Sequence, residues 1–259
     1  MIFNFHQYNF YYRENLMANK INKKIVFLSS GNGGNLRFIY YVIKNKLIKN
    51  ATISAVITDR SCNAKLSAKY LNLKSVQLDF EEKNQPSLLA YLDKINPDII
   101  ITNVHKIIAH PITKKYQGKM INLHFSILPA FAKEIGEKSI EQAIQYGAKF
   151  LGVTTHYVSD DVDFGPPIIQ AIFPIKKNQV KDKRLLNTIF RLGCICLFNS
   201  INLILYPNNK KFSYASIEIL RSKCFLNAID LDLSIKLNDK RVWGKIKYIE
   251  NSILNKSMK

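Results

Sequence analysis

Between residues 24 and 175, short β-branched runs alternate with stretches whose apolar positions recur every three or four residues. The uninterrupted runs at 25–28 and 53–58 predict buried strands. Between them Leu36, Ile39, Tyr40, Val42 and Ile43 lie on one face of a helix over 35–46. The same periodicity predicts helices over 64–71, over 87–95 before Pro97, and over 139–146, where Gly147 ends the run. Strands are predicted over 99–102, 120–124, 150–158 and 168–174. The run at 99–102 has no polar alternation, as expected of a strand covered on both faces. A long apolar or amphipathic helix is predicted over 185–205, and strand-like pieces near 212–220.

This alternation predicts an α/β fold: an open, mostly parallel, doubly wound sheet with a C-terminal helix and a small appendage. Ligands on such sheets bind beyond the carboxyl ends of the strands. The pattern divides the chain into a tail over 1–23, expected to be disordered, a main domain over 24–207 and an appendage over 208–259. Met17, just ahead of the first strand, is a candidate translation start.

Composition narrows the class without choosing a function. The chain has 259 residues, 47% of them hydrophobic, enough for a packed core. Lys and Arg number 38 against 19 Asp and Glu, a formal net charge of +19. Such a field attracts phosphates, carboxylates and nucleic acid alike. Because lysine is abundant along the whole chain, the charge singles out no nucleic-acid surface, and nucleic acid is not expected as a partner. Cys62, Cys194, Cys196 and Cys224 are too scattered for a disulfide framework, and the Cys194–Cys196 spacing is not a zinc spacing, so no metal is expected. No apolar run reaches the length of a membrane span, and the first twenty residues lack the apolar stretch of a signal peptide. A soluble, cytoplasmic protein is expected, monomeric or homodimeric, without membrane contact.

Three motifs carry chemistry. Ser29-Ser30-Gly31-Asn32-Gly33-Gly34-Asn35-Leu36 joins a buried strand to a helix. Its glycines allow close backbone approach, and free amides at a helix start favour an anion. It fits neither the dinucleotide fingerprint nor a Walker loop, so a monophosphate is the better match. A branched side chain at Gly33 is expected to occupy the position of that phosphate. The second motif is Asn122-Leu123-His124-Phe125-Ser126-Ile127-Leu128-Pro129. Period-two spacing puts Asn122 and His124 on one face of a strand, an amide and an imidazole suited to an oxyanion. The third is the acidic loop from His156 to Pro166, with Asp160, Asp161 and Asp163. A carboxylate placed near His124 is expected to raise its pKa. Spacing does not choose among the three aspartates.

In order and spacing the three motifs resemble the glycinamide ribonucleotide formyltransferases, a folate-dependent family of purine synthesis. The likeness spans residues 24–207. It implies transfer of a formyl group from 10-formyltetrahydrofolate to the amine of 5-phosphoribosylglycinamide, with a phosphorylated amine and a reduced folate as small-molecule partners. It assigns Asn122, His124 and Asp163 to catalysis and Gly33, Gly34 and Asn35 to the substrate phosphate. It assigns His105, Lys106, Ile107 and Ile108, with Asn122 and Lys83, to the folate, Ile107 and Ile108 forming an apolar floor. On this reading Asp163 faces inward and Asp160 lies on the solvent side.

The chain departs from the family in three places. Phe125 follows the histidine where the family has proline. The stretch Thr102-Asn103-Val104-His105-Lys106 replaces an Ala-Gly-aromatic-Met-basic run. Leu192-Gly193-Cys194 stands where the family has a Glu-His pair, with Arg191 nearby as an alternative phosphate ligand. These departures keep open formylation of another amine, such as a nucleotide-linked amino sugar, and a degenerate homologue that only binds. Too little chain follows Pro207 for the barrel domain of the initiator-tRNA formylating enzymes.

Overall fold

The computed structural model describes residues 22–81, 83, 85–175, 184–207, 213–219, 222–228 and 232–257. Of the tail expected over 1–23, residues 1–21 lie outside that set, and Lys23 already belongs to the first strand. The first half of the chain runs β1 (Lys23–Ser29), α1 (Gly34–Lys44), β2 (Ala51–Thr58), α2 (Asn63–Tyr70), β3 (Ser75–Gln77), α3 (Pro86–Ile95), β4 (Ile99–Asn103) and α4 (His110–Lys115). It continues with β5 (Met120–His124), α5 (Lys138–Tyr146), β6 (Phe150–Tyr157), β7 (Pro167–Pro174), α6 (Leu185–Leu205), β8 (Ser213–Ile219), β9 (Ser222–Ala228) and α7 (Lys240–Ser257).

These strands form one sheet in the order β3-β2-β1-β4-β5-β6-β7-β9-β8. The first five are parallel neighbours, and from β6 onward the pairing is antiparallel. Along β1 the side chains alternate between two cores. Ile25 and Phe27 join a cluster with Phe38, Ile39, Phe198 and Trp243, from α1, α6 and α7. Val26 and Leu28 join another with Leu88, Leu92 and Ile112, from α3 and α4. Helices therefore cover both faces of the parallel half, which explains the unbroken apolar runs of β1 and β4.

The chain steps outward from β1 to β2 and β3, then crosses back to β4 on the other side of β1. The strand order thus reverses at the carboxyl ends of β1 and β4, opening a crevice between the two connections. The glycine loop follows β1, residues 104–109 follow β4, and β5 ends beside them at His124.

Helix α6 spans 21 residues, and its apolar stretch reaches a mean hydropathy of 1.7. It is long and apolar enough to cross a membrane, contrary to the expectation that no such segment exists. About two thirds of that stretch, 67%, is buried inside the fold, where α6 packs against β5, β6, β7 and α1. The expected appendage after residue 207 is continuous with the main sheet: β9 pairs with β7, β8 pairs with β9, and α7 packs on α1 and α2. Trp243 of α7 stacks on Phe38 of α1, with ring centroids 5.2 Å apart and planes 7° from parallel. Strands β3 and β9 and helices α4 and α7 were not foreseen from periodicity.

Candidate functional site: the cleft at the strand crossover

A cleft of about 720 Å³ lies over the carboxyl ends of β1, β4 and β5. Its walls are the glycine loop, the 104–108 connection, the end of β5, residues 133–136 and the acidic loop. The first two walls are stitched together. Ser30 N–H donates to Asn103 O at 3.0 Å, His105 N–H donates to Ser30 Oγ at 3.0 Å, and Asn35 Nδ2 donates to Asn103 Oδ1 at 3.3 Å.

Gly33 caps α1 with φ 71°, a left-handed conformation that glycine adopts at little cost. A Cβ there would lie 2.8 Å from the Ala64 Cα, on the side of α2. A branched side chain at Gly33 therefore drives the loop off α2 rather than filling the anion position, which corrects the sequence expectation. A Cβ on Gly34 would meet the Phe190 ring at 2.7 Å. Phe190 is thus the α6 side chain that faces the loop, and it too lines the cleft. Arg191 turns elsewhere: its guanidinium stacks 5.2 Å over Trp243 and donates to Leu237 O at 2.8 Å. It does not line the cleft, so it supplies no phosphate contact there.

Asn122 and His124 share a face of β5, and Asp163 reaches them from the acidic loop. His124 Nδ1 lies 3.3 Å from Asp163 Oδ2, and its Nε2 lies 2.9 Å from the Phe131 carbonyl. Both ring nitrogens thus face acceptors, an arrangement fully satisfied by the imidazolium. Burial acts against it. The side chain is only 5% exposed, and the loss of water pulls its pKa below the ordinary histidine value, outweighing Asp163 and the Phe131 carbonyl. Asp163 does raise this pKa, as expected, but burial outweighs it and the net shift is downward. Asp163 moves down as well. Burial favours its neutral form, but His156, the charge of His124 and the Lys133 N–H, at 2.7 Å, together favour the ionised form. Its φ of 65° is left-handed, a conformation that aspartate tolerates better than most residues.

Asp160 also lines the cleft, but at its edge. Its carboxylate accepts from Thr113 Oγ1 and pairs with His110 at 2.7 Å at the exposed rim. These contacts hold its pKa below the usual carboxylate value.

The glycine loop residues Gly33, Gly34 and Asn35, the segment 105–108, and Asn122, His124 and Asp163 line this one cleft. Lys83 does not line it; it is exposed on a turn before α3. Ile108 is buried, while Ile107 is 70% exposed and forms rim rather than floor.

Two residues of the site were missed from sequence. His156, 2% exposed, stands opposite Asn122 in the β5–β6 ladder, with Nε2 at 3.4 Å from the Asn122 amide nitrogen and 3.5 Å from Asp163 Oδ1. Its position six residues after Phe150 in an apolar strand was the available signal. Gln85 is buried and left-handed, and its side chain donates to Ile107 O and accepts from Ala109 N–H, clamping the 105–108 segment. Nothing local in the sequence marked it. Among the described residues no group of three or more His, Cys, Asp or Glu is placed to hold a metal ion.

The comparisons with known proteins agree with this architecture. Residues 23–192, well over half of the chain, match the formyl transferase family. Phosphoribosylglycinamide formyltransferase of Escherichia coli is 30% identical over 165 residues, covering 61% of this chain and 76% of that protein. The human trifunctional purine biosynthetic protein adenosine-3 is 29% identical over 167 residues, and the match spans 16% of its length. Formyltetrahydrofolate deformylase of Escherichia coli is 34% identical over 85 residues, 32% of this chain and 29% of that one. The crystal structure of the Coxiella burnetii phosphoribosylglycinamide formyltransferase superposes with a TM-score of 0.63 at 29% identity, covering 73% of this chain and 92% of that one. With its glycine loop, Asn-x-His strand and aspartate loop converging on one cleft, this chain belongs to the formyl transferase family.

Proposed function

We propose that the protein transfers the formyl group of 10-formyltetrahydrofolate to the amine of 5-phosphoribosylglycinamide. The observation that carries this reading is the shared cleft: an anion-ready glycine loop at one end, and Asn122, His124 and Asp163 at the other. The loop takes the substrate phosphate on backbone amides at the start of α1. The segment 105–108, held by Gln85, offers backbone groups to the pterin edge beside the buried Ile108.

In the reaction the free amine attacks the formyl carbon. A carbon–nitrogen bond forms and the formyl oxygen becomes an oxyanion, which Asn122 stabilises with an amide N–H and His124 with its Nε2–H, exchanged from the Phe131 carbonyl to the substrate oxygen. Asp163, held ionised, accepts the proton lost by the amine, directly or through a water. The proton passes to the folate nitrogen as its bond to the formyl carbon breaks.

A second reading has support in the deformylase relatives: the same group acting on water as the nucleophile. The two are separated by measuring tetrahydrofolate release with and without 5-phosphoribosylglycinamide. Release that requires the amine, with formylated product, supports the transferase. Release at the same rate without it supports hydrolysis and overturns the first reading. A nucleotide-linked amino sugar in the same assay tests the remaining alternative substrate.

A further inference from the structure

Arg37 lies on α1, two residues past the glycine loop, and is only 3% exposed. Its Nη1 donates to the Asn32 carbonyl at 2.6 Å and to Ser67 Oγ at 3.1 Å. Its Nη2 pairs with Glu250 Oε1 at 2.7 Å. Its Nε has no hydrogen-bond partner among the described residues. Glu250 belongs to α7, outside the stretch that matches the formyl transferase family. Neither residue lines the cleft, yet the peptide that Arg37 grips does.

A trans peptide is planar, with its C=O and the following N–H pointing in opposite directions. The Gly31 carbonyl accepts from the Ala64 N–H at 3.0 Å, and the Gly33 carbonyl accepts from the Arg37 backbone N–H at 3.0 Å. With Asn32 held by the guanidinium, three successive carbonyls are turned back into α1 and α2. The N–H groups of the same peptides, those of Asn32, Gly33 and Gly34, point the opposite way, and all three residues line the cleft. Of the three carbonyls, that of Asn32 is the one gripped by a charged side chain. Breaking a buried, charge-assisted contact of this kind leaves both partners unsatisfied and frees the peptide to rotate.

We propose that Arg37 is the positioning residue of the anion loop, and that Glu250 makes the C-terminal helix a working part of the substrate site. Arg37 aims the Gly33 N–H by holding the Asn32 carbonyl behind the loop, and Glu250 orients the guanidinium fork that does so. The inference rests on the loop being the anion site, as read under the proposed function.

The test is titration of inorganic phosphate into the isotope-labelled full chain, followed by NMR at the Gly33 and Gly34 amides, with a folate analogue as the second ligand. In the wild type, phosphate shifts these amides. Arg37→Met weakens phosphate by at least about tenfold, the scale of one lost hydrogen bond to a charged group, and leaves the folate analogue's affinity unchanged. Arg37→Lys keeps the charge without the fork and gives the same split, so the test survives if the methionine variant fails to fold. Glu250→Gln weakens phosphate by a smaller factor, about threefold, because the fork loses its anchor but keeps its grip. Ile253→Ala, which removes a buried contact of α7 with Leu71, lowers the melting temperature and leaves phosphate affinity intact.

Unchanged phosphate affinity in both Arg37 variants, or equal loss of phosphate and folate, overturns the proposal. So does a wild-type loop that does not respond to phosphate. If Ile253→Ala weakens phosphate as much as Glu250→Gln, the part assigned to α7 is overturned. A chain whose phosphate affinity depends on Arg37 yet does not formylate 5-phosphoribosylglycinamide keeps this inference and overturns the functional reading.

Discussion

The Asn122 amide nitrogen lies 3.4 Å from His156 Nε2, across the rung of the antiparallel ladder that pairs the two residues. His156 Nδ1 lies 2.9 Å from the Tyr157 carbonyl, which takes the ring's N–H. His156 Nε2 also faces Asp163 Oδ1 at 3.5 Å, so the ring stands between the Asn122 amide and the aspartate and fixes where both lie in the cleft. His156→Phe fills the space without the ring nitrogens that face Asn122 and Asp163. It is expected to lower turnover by about tenfold to a hundredfold, the scale on which a misplaced donor acts, with folding intact by circular dichroism. Undiminished turnover would remove His156 from the site.

Asn122→Ala, His124→Ala and Asp163→Ala are each expected to reduce turnover by on the order of a hundredfold or more, as loss of one oxyanion donor or proton carrier does. Binding of a folate analogue, measured by calorimetry, should persist in all three. Asp160→Ala loses contacts at the exposed rim, worth at most about 1 kcal/mol, and should leave turnover within a few-fold. The reverse outcome, with Asp160 essential and Asp163 dispensable, would overturn the assignment of the acidic loop.

Gly33→Val combines a left-handed backbone position with a Cβ 2.8 Å from Ala64 Cα. It is expected to lower the melting temperature and to raise the Michaelis constant for the phosphorylated amine, with little change for the folate. An equal rise in both constants would argue against the loop as the phosphate site.

The pH dependence of stability follows from two lowered pKa values. His124 titrates below its ordinary value of about 6.5 in the folded chain, so the unfolded chain takes up its proton first as the pH falls. Stability therefore declines from about pH 6.5 downward, through the folded pKa of His124. Asp163 also titrates below its ordinary value, near 3.9, and its contribution is lost at still lower pH. Both act in the same direction on acidification. Replacing His124 with Asn should flatten the upper part of this decline in melting curves taken between pH 7 and pH 5. An unchanged slope would show that His124 is not the group responsible.

Much of the fold was legible in the chain because burial writes itself locally. The runs at 25–28 and 99–102 are apolar throughout since helices cover both faces of the parallel strands, and the spacing of Leu36, Ile39 and Val42 records one helix face against the sheet. The glycine loop and the Asn122–His124 pair were also legible, because a strand-to-helix turn and a shared strand face are properties of a few consecutive residues. The short β3 and α4, and β9 and α7 near the end of the chain, left weak patterns. Their segments depend on a neighbouring strand or core for most of their stability.

What the tertiary structure alone decided are relations between residues far apart in the chain. Which aspartate meets His124 depended on how the loop after β6 folds back, with Asp163 in a left-handed conformation and Asp160 drawn to His110 and Thr113. The net direction of the His124 shift depended on how much water the packed cleft excludes: Asp163 raises the pKa, and burial outweighs it. Arg191 was near the right place in sequence, but helix phase turned it onto Trp243 and brought Phe190 to the loop. Arg37 and Glu250 are 213 residues apart, and no local pattern in the sequence joins them. Local periodicity reports how one element is buried. Only the packing of α7 against α1 brings those two charges together behind the glycine loop.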